Sequence, residues 1–331
     1  MNNSQDLRLQ LLKEWLTAVL PYREFSLSVA SSDASFRRYF RIQQGEQSWI
    51  AMDAPPEHED VILFARIAEF LEQHQVQVPK VFARDNNNGF LLLADLGQTS
   101  YLSALLDKHH SADTLYKMAI DEIIKMQCIP QVEAEFPHYD ATRLQQELAL
   151  FPEWFLQRHL QLAPPADLDK LFGLLIDNAL QQPQHFVHRD YHSRNLMLTA
   201  DGNIGVIDFQ DAVVGAISYD LVSLLKDCYI EWTAAQRQHW LNYYRDKALE
   251  NNILTSVQAD NFVRCFDLMG LQRHLKVLGI FCRLNYRDGK ANYMHDLPLT
   301  LRYVLDVTER YPELASLHQF LTQTPAVMAI L

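Results

Sequence analysis

A polar turn followed by a short hairpin is the sequence feature that most constrains the fold of this chain. The turn contains Asp190, and Asn195 follows five residues later. Apolar segments at 196–198 and 204–207 then flank an Asp-Gly turn, which is a strong hairpin signal. Antiparallel pairing of the two segments would bring Asp208, which follows the second segment, close to Asn195.

These three oxygen-bearing side chains meet the requirements of phosphoryl transfer. A carboxylate in the turn, Asp190, can orient an attacking hydroxyl and accept its proton. The amide of Asn195 and the carboxylate of Asp208 are hard oxygen ligands of the kind that Mg²⁺ prefers. The alternative is that Asp190 is only a turn former and Asp208 only the end of a strand, but this explains neither the order nor the spacing of the three residues.

The turn also resembles a known catalytic loop. Residues 186–196 resemble the H-R-D-x-x-x-x-N loop of protein kinases, and Asp208-Phe209 resembles the start of their metal-binding D-F-G motif. The loop is still more similar to that of the aminoglycoside phosphotransferase and choline kinase family, in which a His stands two places after the Asp, as His192 does here. The resemblance implies a kinase that uses ATP and Mg²⁺, with Asp190 as the catalytic base and with Asn195 and Asp208 as metal ligands.

Two further residues near this loop are expected to be structural. The ring of His188 is expected to pack beneath the metal-binding turn. In the family, the Asp at the position of Asp220 accepts hydrogen bonds from the backbone of the catalytic loop. The resemblance therefore implies that Asp220 braces the loop and does not react.

The order of the predicted elements gives an α+β fold with two lobes. Residues 1–95 are expected to form an N-terminal helix, about five antiparallel strands and one long helix near 57–74. Residues 96–331 are expected to be helical apart from the catalytic hairpins. The predicted helices of this second part lie near residues 100–107, 111–128, 141–160, 166–181, 217–231, 233–249, 254–283 and 297–322. The resemblance implies a bilobal, protein-kinase-like fold, with the nucleotide-binding sheet in the first lobe and the catalytic loop and acceptor site in the second.

Two segments of the first lobe are candidates for nucleotide binding. A loop of small side chains joins two strands, so its backbone N–H groups can approach phosphate oxygens closely. The residues of this loop are Ser32, Asp33, Ala34 and Ser35. In the family, the crossover between the lobes hydrogen-bonds the adenine edge through its backbone, which makes Asp95 and Leu96 the adenine candidates.

The third strand departs from the kinase pattern. Kinases carry a lysine there that contacts the α- and β-phosphates, and Met52 stands in its place. Either Arg37 or Arg38 replaces this lysine from the neighbouring strand, or metal and backbone hold the nucleotide. Successive strand residues point to opposite faces, and the sequence does not say which face meets the nucleotide. Residues 32–39 and 53–57 resemble a subgroup of the family, the bacterial kinases of cell-wall amino sugars.

Basic residues of the late helices are candidates for acceptor binding, because family members bind the acceptor there. These residues are Arg273, Lys276 and Arg283, while His192 and Arg194 flank the acceptor side of the catalytic loop. The resemblance implies phosphorylation of the anomeric hydroxyl of N-acetylmuramate or N-acetylglucosamine, giving the sugar 1-phosphate for peptidoglycan recycling. A cation of this set would pair with the carboxylate of N-acetylmuramate.

Two alternatives stay open at this point. The acceptor can be another small molecule, such as an aminoglycoside, choline or ethanolamine, although the excess of cations in residues 264–290 disfavours a cationic acceptor. The chain can also be a pseudokinase that binds nucleotide without catalysis, as Met52 suggests and the intact Asp190 disfavours.

Composition limits the partners of the protein. The net charge is −12, from 29 basic and 41 acidic residues, and no concentrated basic patch occurs, so a nucleic-acid partner is not expected. The chain has no 18-residue apolar run and no leader-like N-terminus, which predicts a cytoplasmic protein without a membrane partner. A small-molecule sugar is the expected partner, and no obligate protein partner is evident.

Overall fold

A computed structural model of the chain describes residues 6–21, 24–31, 36–107 and 109–331, with the backbone alone given for Ser31. Its contacts divide the chain into two units, which consist of Met1–Thr99 with Met197–Gln210 and of Ser100–Leu196 with Asp211–Leu331. The first unit contains a five-stranded sheet and the second is mainly helical, which confirms the predicted α+β class. The predicted lobe boundary between residues 95 and 96 stays a prediction.

The sheet of the first unit is antiparallel throughout and has the strand order β1-β2-β3-β5-β4. Its strands are β1 (Ser26–Ser31), β2 (Arg38–Gln44), β3 (Gln47–Asp53), β4 (Val81–Asp85) and β5 (Phe90–Ala94). In this register Phe40 pairs with Ala51, and Tyr39 pairs with Met52. Paired residues share a face and successive residues alternate, so the two pairs lie on opposite faces of the sheet.

Helix α1 (Leu7–Val19) covers one face of this sheet. The side chain of Asp6 accepts a hydrogen bond from the backbone N–H of Leu9 and so caps the first turn. The apolar residues of α1 and of this sheet face form one buried cluster of Leu12, Leu16, Leu20, Phe40, Ile42, Ala51, Phe90 and Leu92. The face that carries Phe40 is therefore closed by α1.

Helix α2 (Val61–Gln73) is the single long helix that the sequence predicts between the third and fourth strands. It begins later than the predicted residue 57, because the side chain of Asp60 accepts the backbone N–H groups of Ile62 and Leu63 and fixes the start of the helix. Its apolar side buries Val61, Phe64, Ala65, Ile67, Ala68 and Leu71.

Four short strands precede and follow the predicted catalytic segment along the chain. They are β6 (Gln184–Val187), β7 (Leu196–Leu198), β8 (Ile204–Val206) and β9 (Val213–Ala216). Strands β7 and β8 form the predicted hairpin, in which Gly202 has a φ of +79°. The hairpin hydrogen-bonds the rest of the first unit, since Leu198 N–H donates to Thr99 O at 2.9 Å and Val206 N–H donates to Gln77 O at 2.8 Å. Strand β9, which pairs with β6, is absent from the sequence prediction.

The helices of the second unit surround one long buried helix, α10. In chain order they are α3 (Tyr101–Leu106), α4 (Ala112–Gln127), α5 (Ala141–Leu148), α6 (Leu168–Gln181), α7 (Ser218–Leu225), α8 (Ala234–Glu250), α9 (Ser256–Asp260), α10 (Phe262–Asp288), α11 (Leu297–Arg310), α12 (Ala315–Gln323) and α13 (Pro325–Met328). No helix within the described ranges is long and apolar enough to cross a membrane.

Prolines interrupt two of the long predicted helices. Helix α11 ends at Arg310, because Pro312 disfavours helical geometry in the residue before it, and Tyr311 is extended with φ −114° and ψ 119°. The helix predicted near 141–160 divides into α5 and a π-helical segment, Phe151–His159, whose second residue is Pro152. Proline lacks the N–H that would continue the α-helical hydrogen bonds. The helix predicted at 217–231 is also shorter and ends with α7.

We expect Gly279→Ala to destabilise the second unit by about 1–3 kcal/mol, as overpacking of a core does. A Cβ at Gly279, in the buried helix α10, would stand 2.3 Å from the carbonyl oxygen of Leu150. The matched control is Gly173→Ala in α6, where a Cβ meets nothing within 4 Å and alanine should stabilise the helix by about 0.5–1 kcal/mol. Urea unfolding measures both, and equal effects of the two substitutions would contradict this packing.

Candidate active site

A carboxylate of α7 holds the turn that carries Asp190. The side chain of Asp220 accepts the backbone N–H of His188 at 2.7 Å and that of Arg189 at 3.0 Å. Arg189 has a φ of +76°, which non-glycine residues rarely adopt and which is common at functional sites. Burial raises the pKa of Asp220 to about 6, although the charge of His188 and the two backbone N–H groups act to lower it. Asp220 thus fixes the strained backbone immediately before Asp190.

A second carboxylate, which sequence reasoning missed, holds the other side of the turn. Asp227 accepts hydrogen bonds from the backbone N–H of Ser193 at 2.9 Å and from its hydroxyl at 2.5 Å. Asp227 lies two residues beyond the end of α7, in a segment that the sequence predicts to be helical up to residue 231. No pattern in that segment distinguishes Asp227, and only its contact with Ser193, 34 residues away, identifies its role.

The carboxylate of Asp190 is half-buried and accepts no hydrogen bond from the residues that the structure describes. Its backbone oxygen is engaged instead, because Nδ2 of Asn195 donates to it at 3.0 Å and His192 N–H donates to it at 3.1 Å. The turn therefore closes on backbone atoms and leaves the side chain of Asp190 without a hydrogen bond from the described residues.

Positive charges control the ionisation of Asp190. Burial acts to raise its pKa, but the electrostatic effect of neighbouring basic side chains, with Lys276 the largest contributor and Arg189 and Arg273 among the others, outweighs burial and holds the pKa below its usual value. Asp190 is therefore ionised at neutral pH, as a residue that accepts a proton must be.

Glu147 of α5 links two of these cations and was not predicted. Its carboxylate lies 3.0 Å from Nζ of Lys276 and also pairs with the guanidinium of Arg189. Nζ of Lys276 additionally donates to the hydroxyl of Tyr219 at 3.1 Å. Glu147 is the only acidic residue of α5, and nothing in the local sequence pattern indicates that it pairs with cations of the catalytic turn. Lys276, a predicted acceptor residue, is thus paired within the protein.

The other predicted acceptor residues have different surroundings. Arg273 is buried, and its one hydrogen-bond contact within the described residues is a long one, 3.9 Å from the sulfur of Cys228. Arg194 is exposed and stacks its guanidinium 3.5 Å over the ring of Tyr229. Arg283 is half-buried in α10, and burial lowers the pKa of its guanidinium.

His192, the remaining acceptor candidate, has one ring nitrogen without a partner. Nδ1 of His192 is buried and makes no hydrogen bond to any residue within the described ranges. Burial lowers the pKa of its imidazole, so the ring is neutral at pH 7. This buried ring nitrogen, two residues after Asp190 in the chain, therefore has unmet hydrogen-bonding capacity.

Asp208 lies in the first unit with a φ of +66°, again unusual for a residue other than glycine. Its Oδ1 accepts Nε2 of Gln210 at 2.9 Å and lies 3.3 Å from Nη2 of Arg37. The next residue, Phe209, is fully buried and packs on Phe64 of α2 with ring centroids 4.8 Å apart. Phe209 therefore anchors the turn that carries Asp208 to this helix.

The two arginines near the start of β2 have different partners. Arg38 binds Asp53 through Nε at 2.8 Å and also pairs with Asp6, on the sheet face that α1 covers. Arg37 pairs instead with Asp208 and, at 3.6 Å, with Glu59. The predicted phosphate loop, Ser32, Asp33, Ala34 and Ser35, lies outside the described residues.

The crossover residue Asp95 uses its side chain within the protein. Its carboxylate accepts Nε of Arg41 at 2.6 Å and the backbone N–H of Gly97 at 3.0 Å. Leu96 packs closely on Gly205 of the hairpin, where a Cβ would stand 2.8 Å from Cδ1 of Leu96. The side chains of Asp95 and Leu96 are therefore engaged within the protein, and chiefly their backbone groups remain for contact with a nucleotide.

The predicted site residues fall into both units. Those of the second unit are His188, Asp190, His192, Arg194, Asn195, Asp220, Arg273, Lys276 and Arg283, and those of the first unit are Arg37, Arg38, Asp95, Leu96 and Asp208. No group of three or more His, Cys, Asp or Glu side chains in the described part of the chain could hold a metal.

Comparison with known proteins identifies the family of the chain. Residues 26–252 match the model of a family described as "Phosphotransferase enzyme family". The chain belongs to this family, which confirms the resemblance that the Asp190 loop carries.

Two curated relatives and one solved structure are among the most similar proteins. A protein of Pseudomonas aeruginosa named N-acetylmuramate/N-acetylglucosamine kinase is 43% identical, over 97% of this chain and 98% of the relative. A Neisseria meningitidis protein of the same name is 41% identical over 94% of each chain. The structure of an ethanolamine kinase from Plasmodium vivax matches with a TM-score of 0.66 at 11% identity, covering 100% of this chain and 93% of that one. This last likeness confirms the kinase-like fold.

We expect Asp220→Asn to reduce turnover strongly and to lower the free energy of unfolding by about 1–3 kcal/mol at pH 7. An amide has one acceptor oxygen, so one of the two buried N–H groups of His188 and Arg189 would lose its partner. The control is Ser223→Ala in the same helix, because the buried hydroxyl of Ser223 has no partner in the described part of the chain. Chemical denaturation and steady-state kinetics measure the effects, and a fully active Asp220→Asn protein would refute the bracing role.

Proposed function

We propose that the protein is an ATP-dependent kinase that phosphorylates the anomeric hydroxyl of N-acetylmuramate and N-acetylglucosamine. The observation that carries this proposal is the turn held by Asp220 and Asp227, which presents the ionised, unbonded carboxylate of Asp190 among cations. The names of the curated relatives support the choice of acceptor. ATP as the donor places the reaction in the cytoplasm.

In the proposed reaction, Asp190 accepts the proton of the anomeric hydroxyl and aligns its oxygen for in-line attack on the γ-phosphorus. A P–O bond forms to the sugar oxygen, and the bond between the γ-phosphorus and the bridging oxygen breaks. The electron pair of the broken bond leaves with ADP, and Asp190 later releases its proton to water. Magnesium, held by Asn195 and Asp208, would supply neutralisation of the phosphate charge.

The nucleotide is proposed to bind through the first unit. The backbone of Asp95 and Leu96 meets the adenine edge, and Arg41 holds that backbone in place through the side chain of Asp95. The backbone of residues 32–35 is proposed to approach the phosphates.

The low pKa of Asp190 supports an anomeric acceptor. A carboxylate whose pKa lies below the usual range is a weak base, and it is best matched to a hydroxyl that loses its proton readily. The anomeric hydroxyl of a sugar is more acidic than an ordinary alcohol. The hydroxyl of choline is an ordinary alcohol, and its deprotonation would require a stronger base than Asp190.

The environment of Arg273 supports an acceptor with a negative charge. Lys276 pairs directly with Glu147, whereas no carboxylate within the described residues pairs with the buried guanidinium of Arg273. A buried charge without a partner is costly, and an anionic group of the substrate would supply one. The carboxylate of N-acetylmuramate is such a group, and His192 and Arg194 are proposed to contact the same sugar.

We expect Asp190→Asn to abolish phosphorylation of either sugar while ATP binds with nearly unchanged affinity. The substitution removes the proton acceptor and leaves the backbone bonds of the turn in place. Product formation by coupled ADP assay and ATP binding by calorimetry test this, with Asp201→Asn at the exposed hairpin tip as the control. Sugar phosphorylation that survives in Asp190→Asn would remove the base assignment.

We expect Arg273→Met to raise the KM for N-acetylmuramate about ten- to hundredfold and to change the KM for N-acetylglucosamine much less, since only the first sugar carries a carboxylate. Arg264→Met is the control in the same helix, because the exposed Arg264 pairs at the surface with Glu313. Steady-state kinetics with both sugars provide the measurement. Equal losses with both sugars would show that Arg273 does not bind the carboxylate.

A further inference from the structure

The third strand lacks the cation that kinases use to bind nucleotide phosphates. Met52 stands at that position, is 1% exposed, and pairs with Tyr39 of β2 and Leu91 of β5. The following residue, Asp53, is acidic and points to the opposite face. If the protein uses ATP, as proposed above, another element must bring a positive charge to the Met52 face of the sheet.

Arg38 cannot supply this charge, because it lies on the face that α1 covers. Asp53 pairs with Arg38 across the strands and accepts Nε of Arg8 from α1 at 2.9 Å. Asp6, at the start of α1, binds the same Arg38. These ion pairs fasten α1 to the sheet and hold Arg38 on that side.

Arg37 lies on the other face and contacts the carboxylates of Asp208 and Glu59. Its Nη2 is 3.3 Å from Oδ1 of Asp208, and its Nε is 3.6 Å from Oε2 of Glu59, which precedes α2. The side chain of Arg37 is 9% exposed, so solvent screens these charges weakly. In kinases the phosphate-binding lysine likewise pairs with a glutamate of the helix that follows the third strand.

The contacts of Arg37 with Asp208 and Glu59 are longer than those of a neighbouring arginine of the same sheet. Arg41 binds Asp95 with two short contacts of 2.6 and 3.0 Å, as a fixed structural pair does. The distances from Arg37 to Asp208 and to Glu59 are 3.3 and 3.6 Å. A guanidinium fork matches phosphate oxygens in geometry and keeps its charge at every physiological pH.

We propose that Arg37 replaces the missing lysine and binds the α- and β-phosphates of the nucleotide, and that Glu59 is the residue that positions it. This assignment rests on the proposed use of ATP. Without nucleotide, Arg37 neutralises Asp208. When nucleotide binds, the guanidinium turns to the phosphate oxygens and retains Glu59 as its orienting partner.

Calorimetry of the full-length protein in EDTA, with ADP and with adenosine, tests the assignment directly. Arg37→Met should weaken ADP binding about ten- to hundredfold and leave adenosine binding unchanged, because adenosine has no phosphate. Arg37→Lys, which keeps the charge but not the fork, should bind ADP with an affinity between those of Arg37→Met and the parent protein. Arg84→Met is the matched control, since Arg84 is an exposed arginine on β4 of the same sheet.

Glu59→Gln tests the positioning role. It should weaken ADP binding less than Arg37→Met does, again without affecting adenosine. In the Arg37→Met background Glu59→Gln should have no further effect on ADP affinity, because Glu59 acts through Arg37.

Two results would overturn the assignment. One is that Arg37→Met binds ADP as tightly as the parent protein. The other is that it loses ADP and adenosine affinity equally, as a purely structural ion pair would. By contrast, a parent protein that phosphorylates no sugar but binds ADP in an Arg37-dependent way would refute the proposed acceptor and retain this assignment.

Discussion

The two hydrogen bonds from the catalytic turn to the buried carboxylate of Asp220 are the interaction on which the active site depends. They hold Arg189 at a positive φ, which no local preference would maintain. Asp227 fastens Ser193 in the same way. Asp220 and Asp227 together fix the backbone of the turn on both sides of Asp190. The carboxylate of Asp190 itself accepts no hydrogen bond from the described residues. The fold thus orients the catalytic turn and leaves the carboxylate of Asp190 as the group proposed to react.

The charges around this turn explain how an acidic protein can bind anions. The chain has a net charge of −12, yet four positively charged or titratable basic side chains act on Asp190. Glu147 balances two of them, Lys276 and Arg189, by direct pairing. Arg273 has no such balance within the described residues, and in the first unit Arg37 stands between two carboxylates. Negatively charged groups of a substrate are therefore better suited than further side chains of the protein to pair with Arg273 and Arg37.

What the sequence predicts well is what short-range patterns determine. The five strands follow from alternating apolar residues, the hairpin from its Asp-Gly turn, and the family from the spacing of Asp190, Asn195 and Asp208. Pairs that join distant segments could not be predicted, because tertiary packing selects them. Arg37 and Asp208, for example, are 171 residues apart. The choice between Arg37 and Arg38 as the proposed nucleotide ligand depends on which sheet face α1 covers, and the sequence does not give this. The same reason hid Glu147.

The position of the new phosphate on the sugar tests the central claim most directly. The protein is incubated with magnesium, ATP and N-acetylmuramate labelled with ¹³C at the anomeric carbon, and the product is examined by ³¹P NMR. The account predicts one sugar-phosphate resonance, split by coupling to the labelled carbon through the bridging oxygen. A sugar phosphate without that splitting, or the absence of any sugar phosphate from active, ATP-binding protein, would contradict it.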